Sequence, residues 1–455
     1  MNETIVFVSL ASNQSSFFAA LEPHMRAAGF DVAHVCFHEP SADALRKAGH
    51  RVFNPFELSR TTDLPKLTNY GIANSTLLVG HEKAAYEIRD TDEILLKFRR
   101  HLAAMEAVFE TLIAEGRHLV LVQELGGFTS VLAGYFVAQR NKVSNYFIEP
   151  SFFKGRFFLT RNSFSAPLIP RSAQEVSEKV HSVLKQIRDS QTVVIPTKDA
   201  LHYRGAVHKL LDTKNWRRLI EKLVQKYVLK KEEEFHHISG HVRRHIRMTI
   251  NAAKLRKFYT SIPLEAPFVY YPLHVPADFA LTIRSPEYLD QLSLIDFLCR
   301  IAPEGRKVVI KEHPALIGGL PATRIAALVD RHDNLVLLSP GINNHEVMRR
   351  AEAVVTVNSK AGAEALLYRR PVVALGDSFY RDSGLVTVVN SLRELPASLN
   401  RSVLPVEEDV NHFLQDVWSA SVAGELYDTR DENVAQFATS LQGILHVQAL
   451  AEQAD

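Results

Sequence analysis

The sequence predicts an α/β protein built from two Rossmann-like domains that face each other across a cleft. Three observations carry this. The chain opens with a strand–helix–strand succession, IVFVSL, AALEPHMRAAG and DVAHVCF. A second series of short apolar runs separated by helix-like segments begins at VYYPLH. At 455 residues the chain exceeds what one hydrophobic core usually supports. Buried strands alternating with amphipathic helices indicate parallel sheets, because each crossover lays a helix on a sheet face.

Taken in order, IVFVSL reads as a buried strand, and the polar SNQSSFF as the turn into the first helix. Phe98, Leu102, Met105, Phe109 and Leu112 follow helical spacing, and Gly116 supplies a stop. The strand HLVLVQ leads into ELGGF, a helix-like SVLAGYFVAQR and the strand VSNYFIE. Residues 171–260 read as largely helical. Within them Trp216, Ile220, Leu223 and Tyr227 form an apolar stripe, so Lys222, Lys226 and Arg243 are read as the solvated back of a core-facing helix. The alternative is contact with anionic lipid or an anionic acceptor. Strands are expected at 269–274, 307–311, 334–338, 353–357 and 371–375. The tail beyond 404 reads as terminal helices packing back on the first domain. The predicted division is thus 1–262 for the first domain including the helical region, 263–404 for the second, and 405–455 for the terminal helices.

Composition narrows the function classes. A formal net charge of +2 argues against a dedicated nucleic-acid binder. Cys36 and Cys299 lie far apart without a CxxC, which speaks against a disulfide framework or a thiolate zinc site and fits a reducing compartment. There is no basic leader before MNETIVFVSL and no uninterrupted apolar run of membrane-spanning length, so a cytoplasmic protein is expected, with the cytoplasmic face of the inner membrane as a place of peripheral contact. Neither GxxxxGK[ST] nor a strand-coupled GxGxxG occurs. Asp90-Thr91-Asp92 has the spacing of a metal-binding DxD. It falls at the start of a long amphipathic helix and is read as helix-dipole acids, so no metal and no cofactor are expected.

The candidate chemistry sits where strands end, since ligands of parallel sheets bind outside the carboxyl ends. In NSKAGAEAL, Asn358 or Ser359 can cap a helix whose N-terminal amides favour an anion, Gly362 allows close approach, and Glu364 can accept hydrogen bonds from ribose hydroxyls. The plainer reading is an ordinary cap, a packing glycine and a solvent-facing glutamate. In VVIKEHPAL, Lys311 and His313 offer charge and a donor to a phosphate, with Pro314 ending the strand. His274 stands at a third such edge, in YYPLHVPAD. In the first domain Gln123-Glu124-Leu-Gly126-Gly127 couples a carboxylate to two glycines that permit backbone approach to an acceptor, and Glu124 is the first candidate for base or nucleophile. Glu149 in IEPSFF and Asp199 in IPTKDALHYRG are the others.

Together, YYPLHVPAD with Tyr288-Leu-Asp-Gln291, KEHP, VTVNSKAGAEALLYRRPVVALG and the closing GELYD resemble the capsule polysaccharide biosynthesis family, which includes retaining β-Kdo transferases that use CMP-Kdo. The resemblance covers about the last two-fifths of the chain. It implies a GT-B type fold, a donor site in the second domain with His313 and Ser359 on the CMP phosphate and Glu364 near the nucleoside, and an acceptor side in the first. It implies transfer of Kdo to a surface polysaccharide or lipopolysaccharide-type glycolipid acceptor, with the export machinery as a partner. The alternatives are a UDP-sugar transferase or 2-epimerase, which share the architecture, and a non-catalytic component of an export assembly.

Overall fold

The computed structural model describes residues 3–88, 90–172, 174–191, 213–235, 237–263, 265–400 and 404–452. The first lobe contains β1 (Glu3–Ser9), β2 (Asp31–Cys36), β3 (Val52–Phe53), β4 (His118–Glu124), β5 (Ser144–Pro150) and β6 (Arg156–Arg161). The second contains β7 (Tyr259–Thr260), β8 (Phe268–Pro272), β9 (Lys307–Lys311), β10 (Leu335–Leu338), β11 (Ala353–Thr356), β12 (Val372–Ala374) and β13 (Thr387–Val388). A last short strand, β14 (Val422–Ala423), returns to the first lobe, giving sheet orders β14-β6-β5-β4-β1-β2-β3 and β13-β12-β11-β8-β9-β10-β7. The second sheet is parallel throughout, and the first is parallel except for the antiparallel β6 and β14. Two mainly parallel sheets, one to each lobe, bear out the two Rossmann-like domains that the residue pattern predicted, in the GT-B type arrangement that the resemblance implied.

Both sheets are buried on both faces, which is why their strands are unbroken apolar runs. In β1, Ile5 and Phe7 pack with Phe17 and Leu21 of the helix Ser12–Ala27, while Val6 and Val8 face Leu102 and Met105 of the helix Thr91–Ala114. In β8 the alternation repeats: Phe268 and Tyr270 enter one cluster, Val269 and Tyr271 the other. Asp90 caps the helix Thr91–Ala114, accepting from the amides of Asp92 and Glu93 at 2.9 and 3.4 Å, so the DxD spacing does capping work here.

The helical region is shared between the lobes. Val180 and Leu184 of the helix Glu178–Ser190 join the second-lobe cluster beside Phe413 and Val417 of the helix Glu407–Ala420. The helix Thr213–Leu223, continued by a π-helical turn at Val224–Val228, does not bury the expected stripe: Ile220, Leu223 and Tyr227 are exposed. Its anchorage is electrostatic instead. Lys222 bonds Glu233 at 2.9 Å, the amide of Glu232 donates to Glu39, and the wholly buried Glu234 accepts from Lys97 at 2.6 Å. Lys97 also reaches Glu82, which takes the amide and hydroxyl of Thr129. Burial pushes the Glu234 carboxyl up to about 7 against the pull of Lys97. An acid run thus docks a segment whose apolar side faces outward.

Beyond β14, the helix Asp431–Glu452 lies on the helix Ser12–Ala27: Phe437 stacks on Phe157 with centroids 4.1 Å apart and meets Phe17 edge-on at 5.0 Å. Across the lobes, Arg284 holds Glu149 with two bonds of 2.7 and 3.0 Å, His81 meets Thr282 at 2.8 Å, Lys360 donates to the Ser151 carbonyl at 2.6 Å, and the Ala166 amide donates to Asp377 at 2.8 Å. Among the described residues no helix is long and apolar enough to cross a membrane.

If the returning helix is part of the first-lobe core, Phe437→Ala should lower unfolding stability by about 3–5 kcal/mol, read as a reduced urea midpoint with a folded baseline unchanged in far-UV dichroism.

Candidate functional site

The order β11-β8-β9 makes neighbours of three strand ends that are successively 39 and 45 residues apart in the chain (272 to 311, 311 to 356), and so unites the motifs at them: His274 after β8, Lys311 to His313 at the end of β9, and Asn358-Ser359 after β11. His274 is the middle member. Its Nε2 accepts the Val357 amide at 3.3 Å and lies 3.4 Å from the Thr356 hydroxyl. An amide can only donate, so this nitrogen carries no proton and Nδ1 does. Burial, helped by the neighbouring His313 and opposed by Asp278, brings the His274 pKa down to about 4. Gln291, the last residue of the YLDQ run, clamps the backbone of His274 in both directions, its Oε1 taking the amide at 2.7 Å and its Nε2 donating to the carbonyl at 3.1 Å. His274 and His313 line one small pocket with Leu273, Pro276, Leu316 and Leu320.

His313 caps the turn that Pro314 begins, its Nδ1 accepting the Ala315 amide at 3.2 Å, and burial lowers its pKa. Glu312, between the two candidates, is structural: it accepts from Tyr259 at 2.5 Å and from the Gly318 amide at 2.8 Å, which ties down the following loop. Ser359 caps the helix Lys360–Leu367, its hydroxyl accepting the Ala361 amide at 3.2 Å. Asn358 donates through Nδ2 to the Ala280 carbonyl at 2.6 Å and to Ser285 at 3.2 Å. A carbonyl accepts only, so the amide is oriented, and its Oδ1 is a buried acceptor without a hydrogen-bond donor among the described residues.

Two expectations for this stretch change. Gly362 makes room for the Tyr380 ring, whose hydroxyl a Cβ at Gly362 would meet at 2.5 Å, so its close neighbour is protein; Tyr380 in turn donates to the Ser359 carbonyl at 2.7 Å. Glu364 does not face solvent. It is 6% exposed, on the inner side of its helix, and Lys311 at the end of β9 is 3% exposed. Burial pushes the Glu364 carboxyl up to about 7, opposed by Lys360, the Asn344 amide and Lys311. The same cause brings Lys311 down to about 8, opposed by Glu364.

On the first lobe, Glu124 ends β4 and accepts from Gln14 at 2.7 Å and from the Tyr427 hydroxyl. Gln14 is itself fixed by the Leu10 amide at 2.6 Å, at the exit of β1, the strand beside β4. Tyr427 belongs to the GELYD motif and adopts a left-handed φ of 63°, a conformation that costs a non-glycine residue energy and aims the phenol at the carboxylate. Glu149, one strand over, is committed to Arg284. Gln123 is corrected: it is wholly buried, donating to the Val131 carbonyl and Asn145 at 3.2 and 2.9 Å, because alternation along β4 turns it into the sheet–helix packing. Gly127 is corrected too, since a Cβ there would overlap the His81 ring, while Gly126 has only ordinary contact with Val131 at 3.7 Å. Asp199 lies outside the described residues. Gln14, Arg284, Gln291, Tyr380 and Tyr427 escaped the sequence reading as site residues; YLDQ and GELYD were the available signals for Gln291 and Tyr427.

The two rows of strand ends abut. Lys360, next to Ser359, reaches Ser151, two residues past Glu149, so the donor-side helix N-terminus meets the exit of β5. Away from this cleft, Glu22 accepts from His34 at 2.8 Å and His50 at 2.6 Å, the group among the described residues with metal-ligand spacing; Arg26 holds the other carboxylate oxygen at 2.7 Å.

Glu364 gives a pH signature. Its folded pKa, about 7, is above the unfolded 4.5, so its contribution to stability is intact below about pH 4.5 and is lost as pH rises through 7; Lys311 titrates above that window. Glu364→Gln should remove this slope between pH 4.5 and 7, a difference of about 3 kcal/mol at most, seen as a flatter pH dependence of the thermal midpoint.

The model of the capsule polysaccharide biosynthesis protein family matches residues 133–397, from the helix after Glu124 to the end of the second sheet. Over 176 residues the chain is 34% identical to Protein FixF of Sinorhizobium fredii (strain NBRC 101917 / NGR234), covering 37% of this chain and 41% of that protein. Over 89 residues it is 33% identical to the capsule polysaccharide export protein KpsS of Escherichia coli, covering 19% of this chain and 23% of that one. The chain thus spans less than half the length of either relative. Among solved structures it is similar to the KpsC β-Kdo 2,7 transferase of Thermosulfurimonas dismutans, at 13% identity and a TM-score of 0.36, with 82% of this chain and 97% of that one covered. With well over half of its residues matched by the family model, and with the motifs that carry the resemblance gathered at adjoining strand ends, the chain belongs to the capsule polysaccharide biosynthesis protein family.

Proposed function

We propose that the chain is a glycosyltransferase that moves Kdo from CMP-Kdo to a glycan or glycolipid acceptor with retention of configuration. The observation that carries this is the convergence of His274, Lys311, His313 and the Ser359 helix N-terminus on one side, opposite a lobe whose strand ends present Glu124. The choice of sugar rests on the motif resemblance.

In this reading the second lobe receives the nucleotide. The phosphate lies toward His313 and the first amides of the helix Lys360–Leu367, where donors and the helix dipole favour an anion. The orphaned Asn358 Oδ1 fits a hydroxyl or amino donor of the nucleoside. The buried Lys311 supplies positive charge whose value is raised by its dry setting. When the bond between the anomeric carbon and the phosphate oxygen breaks, the electron pair stays on CMP, and these donors stabilise it. Glu124 acts on the opposite face. With retention, Glu124 as nucleophile bonds the anomeric carbon from that face, and the acceptor hydroxyl then displaces it from the face CMP has left, its proton passing to the CMP phosphate; as base on the opposite face Glu124 would take the hydroxyl's proton and the configuration would invert. Gln14 and Tyr427 hold it with neutral hydrogen bonds, which orient a carboxylate without cancelling its charge, whereas Arg284 neutralises Glu149.

Two measurements test the proposal. CMP should raise the melting temperature and UDP should not, because a ligand bound by the native state alone stabilises it; a shift with UDP alone would replace the donor assignment. Glu124→Gln should reduce transfer by about 10³-fold or more while leaving the CMP-induced shift intact, and near-normal turnover in a panel of CMP-sugars would remove Glu124 from the reaction.

A further inference from the structure

The helix Ile238–Leu255 lies along both lobes. Its first half is held by the first lobe: Arg244 donates to the Ala85 carbonyl at 3.0 Å, Arg247 pairs with Glu87, and Tyr86 packs on His237 with ring centroids 4.6 Å apart. Its second half is held by the other lobe, where Asn251 donates to the carbonyls of Gly318 and Leu320 at 3.0 and 3.1 Å, and Leu255 enters the core. Both anchorages border the cleft. Leu320 lines the pocket of His274 and His313, and His81, in the helix that ends at Tyr86, bonds Thr282 across the lobes.

The inner face of this helix is therefore Arg244, Met248, Asn251 and Leu255, at helical spacing. The outer face carries Val242, Ile246 and Ile250, exposed by 40%, 52% and 48%, flanked by exposed Arg243 and Lys254. Residues 235–264 contain six Lys or Arg and no Asp or Glu. The preceding segment adds Tyr227, Val228 and Leu229, each more than half exposed, with Lys226 and Lys230 among them. Burial lowers the pKa of His237 and of His241, and Lys226 and Lys222 of the preceding segment lie near enough to add to it. A row of branched aliphatic side chains in water, without acids and set among long cationic ones, is unfavourable for a surface that stays solvated.

We propose that this face seats on an anionic lipid bilayer, with Val242, Ile246 and Ile250 entering the acyl boundary and the flanking Arg and Lys reaching headgroup phosphates. Charge complementarity selects this occupant over a protein. The stretch 235–264 carries six cations and no acid, and an in-plane interfacial helix needs apolar residues flanked by Lys and Arg that keep their charges at headgroup level. Docked in this way, the helix holds the mouth of the cleft at the lipid surface, where an acceptor carried on a lipid would be presented. The seating does not depend on which sugar is transferred or on whether transfer occurs.

The test is flotation of the full chain with vesicles of phosphatidylcholine alone and of phosphatidylcholine mixed with phosphatidylglycerol. Binding to the anionic mixture should be at least about tenfold tighter, and should be lost when salt rises from about 0.1 to about 0.5 M. Ile246→Ser with Ile250→Ser should weaken binding by about tenfold or more. Lys254→Gln and Lys257→Gln should each cost roughly fivefold and reduce the salt dependence. All four side chains lie away from the lobes, so the variants should keep the wild-type melting curve and the CMP-induced shift. Equal binding to neutral vesicles, or anionic binding that the isoleucine variants leave unchanged, overturns the proposal. So does a wild-type dimer in light scattering that the isoleucine variants dissociate, which would assign the face to a second copy.

Discussion

The second-lobe cluster depends on one constraint, the position of His274 between two other strand ends. A parallel sheet places the exits of β11, β8 and β9 side by side, and the buried imidazole at the central exit bonds the backbone of one neighbour and feels the charge of the other. Because that ring stays neutral and Gln291 grips its backbone from both sides, the three loops hold a common geometry. A preset array of donors of this kind stabilises a departing anion without reorganising. The features around it follow: Glu312 secures the loop after His313, and Tyr380 secures the carbonyl of Ser359 from beneath the helix that Gly362 opens to it.

The buried charges of the two lobes are handled differently. In the first lobe Lys97 lies between Glu82 and Glu234, so each charge taken from water finds a direct partner, and the result is an anchor for the segment 213–235. In the second lobe Lys311 and Glu364 influence each other while burial moves both pKa values toward neutrality. A dry ammonium is costly for folding, and Glu364 offsets only part of that cost. The bidentate Arg284–Glu149 pair serves a third purpose, holding the two rows of strand ends together.

Much of this was legible in the residues. The second-lobe cluster could be read because KEHP, YYPLH and NSKAG each mark a strand exit of a parallel sheet. The first-lobe cluster was legible only in part. Glu124 ends a strand and was identified by that, but Gln14 and Tyr427, which hold it, lie 110 and 303 residues away in sequence, and no local pattern links them. The misreadings have physical causes. Gln123 points inward because side chains alternate along β4. The stripe of Ile220, Leu223 and Tyr227 was assigned to a core because amphipathicity shows that a helix has an apolar side and is silent on what covers it.

By itself, then, the sequence determined the α/β class, the two sheets and the set of loops that bear chemistry, since strand runs, helix spacing and turn residues are local and are written in consecutive positions. The tertiary structure decided which of those groups are tied into protein contacts. Glu149 became an interlobe clamp, Gly127 and Gly362 became seats for His81 and Tyr380, and Glu364 became a buried acid with a raised pKa. Those outcomes turn on distances between residues far apart in the chain and on exclusion of water. Both arise only when the two lobes and the returning C-terminal helix have packed.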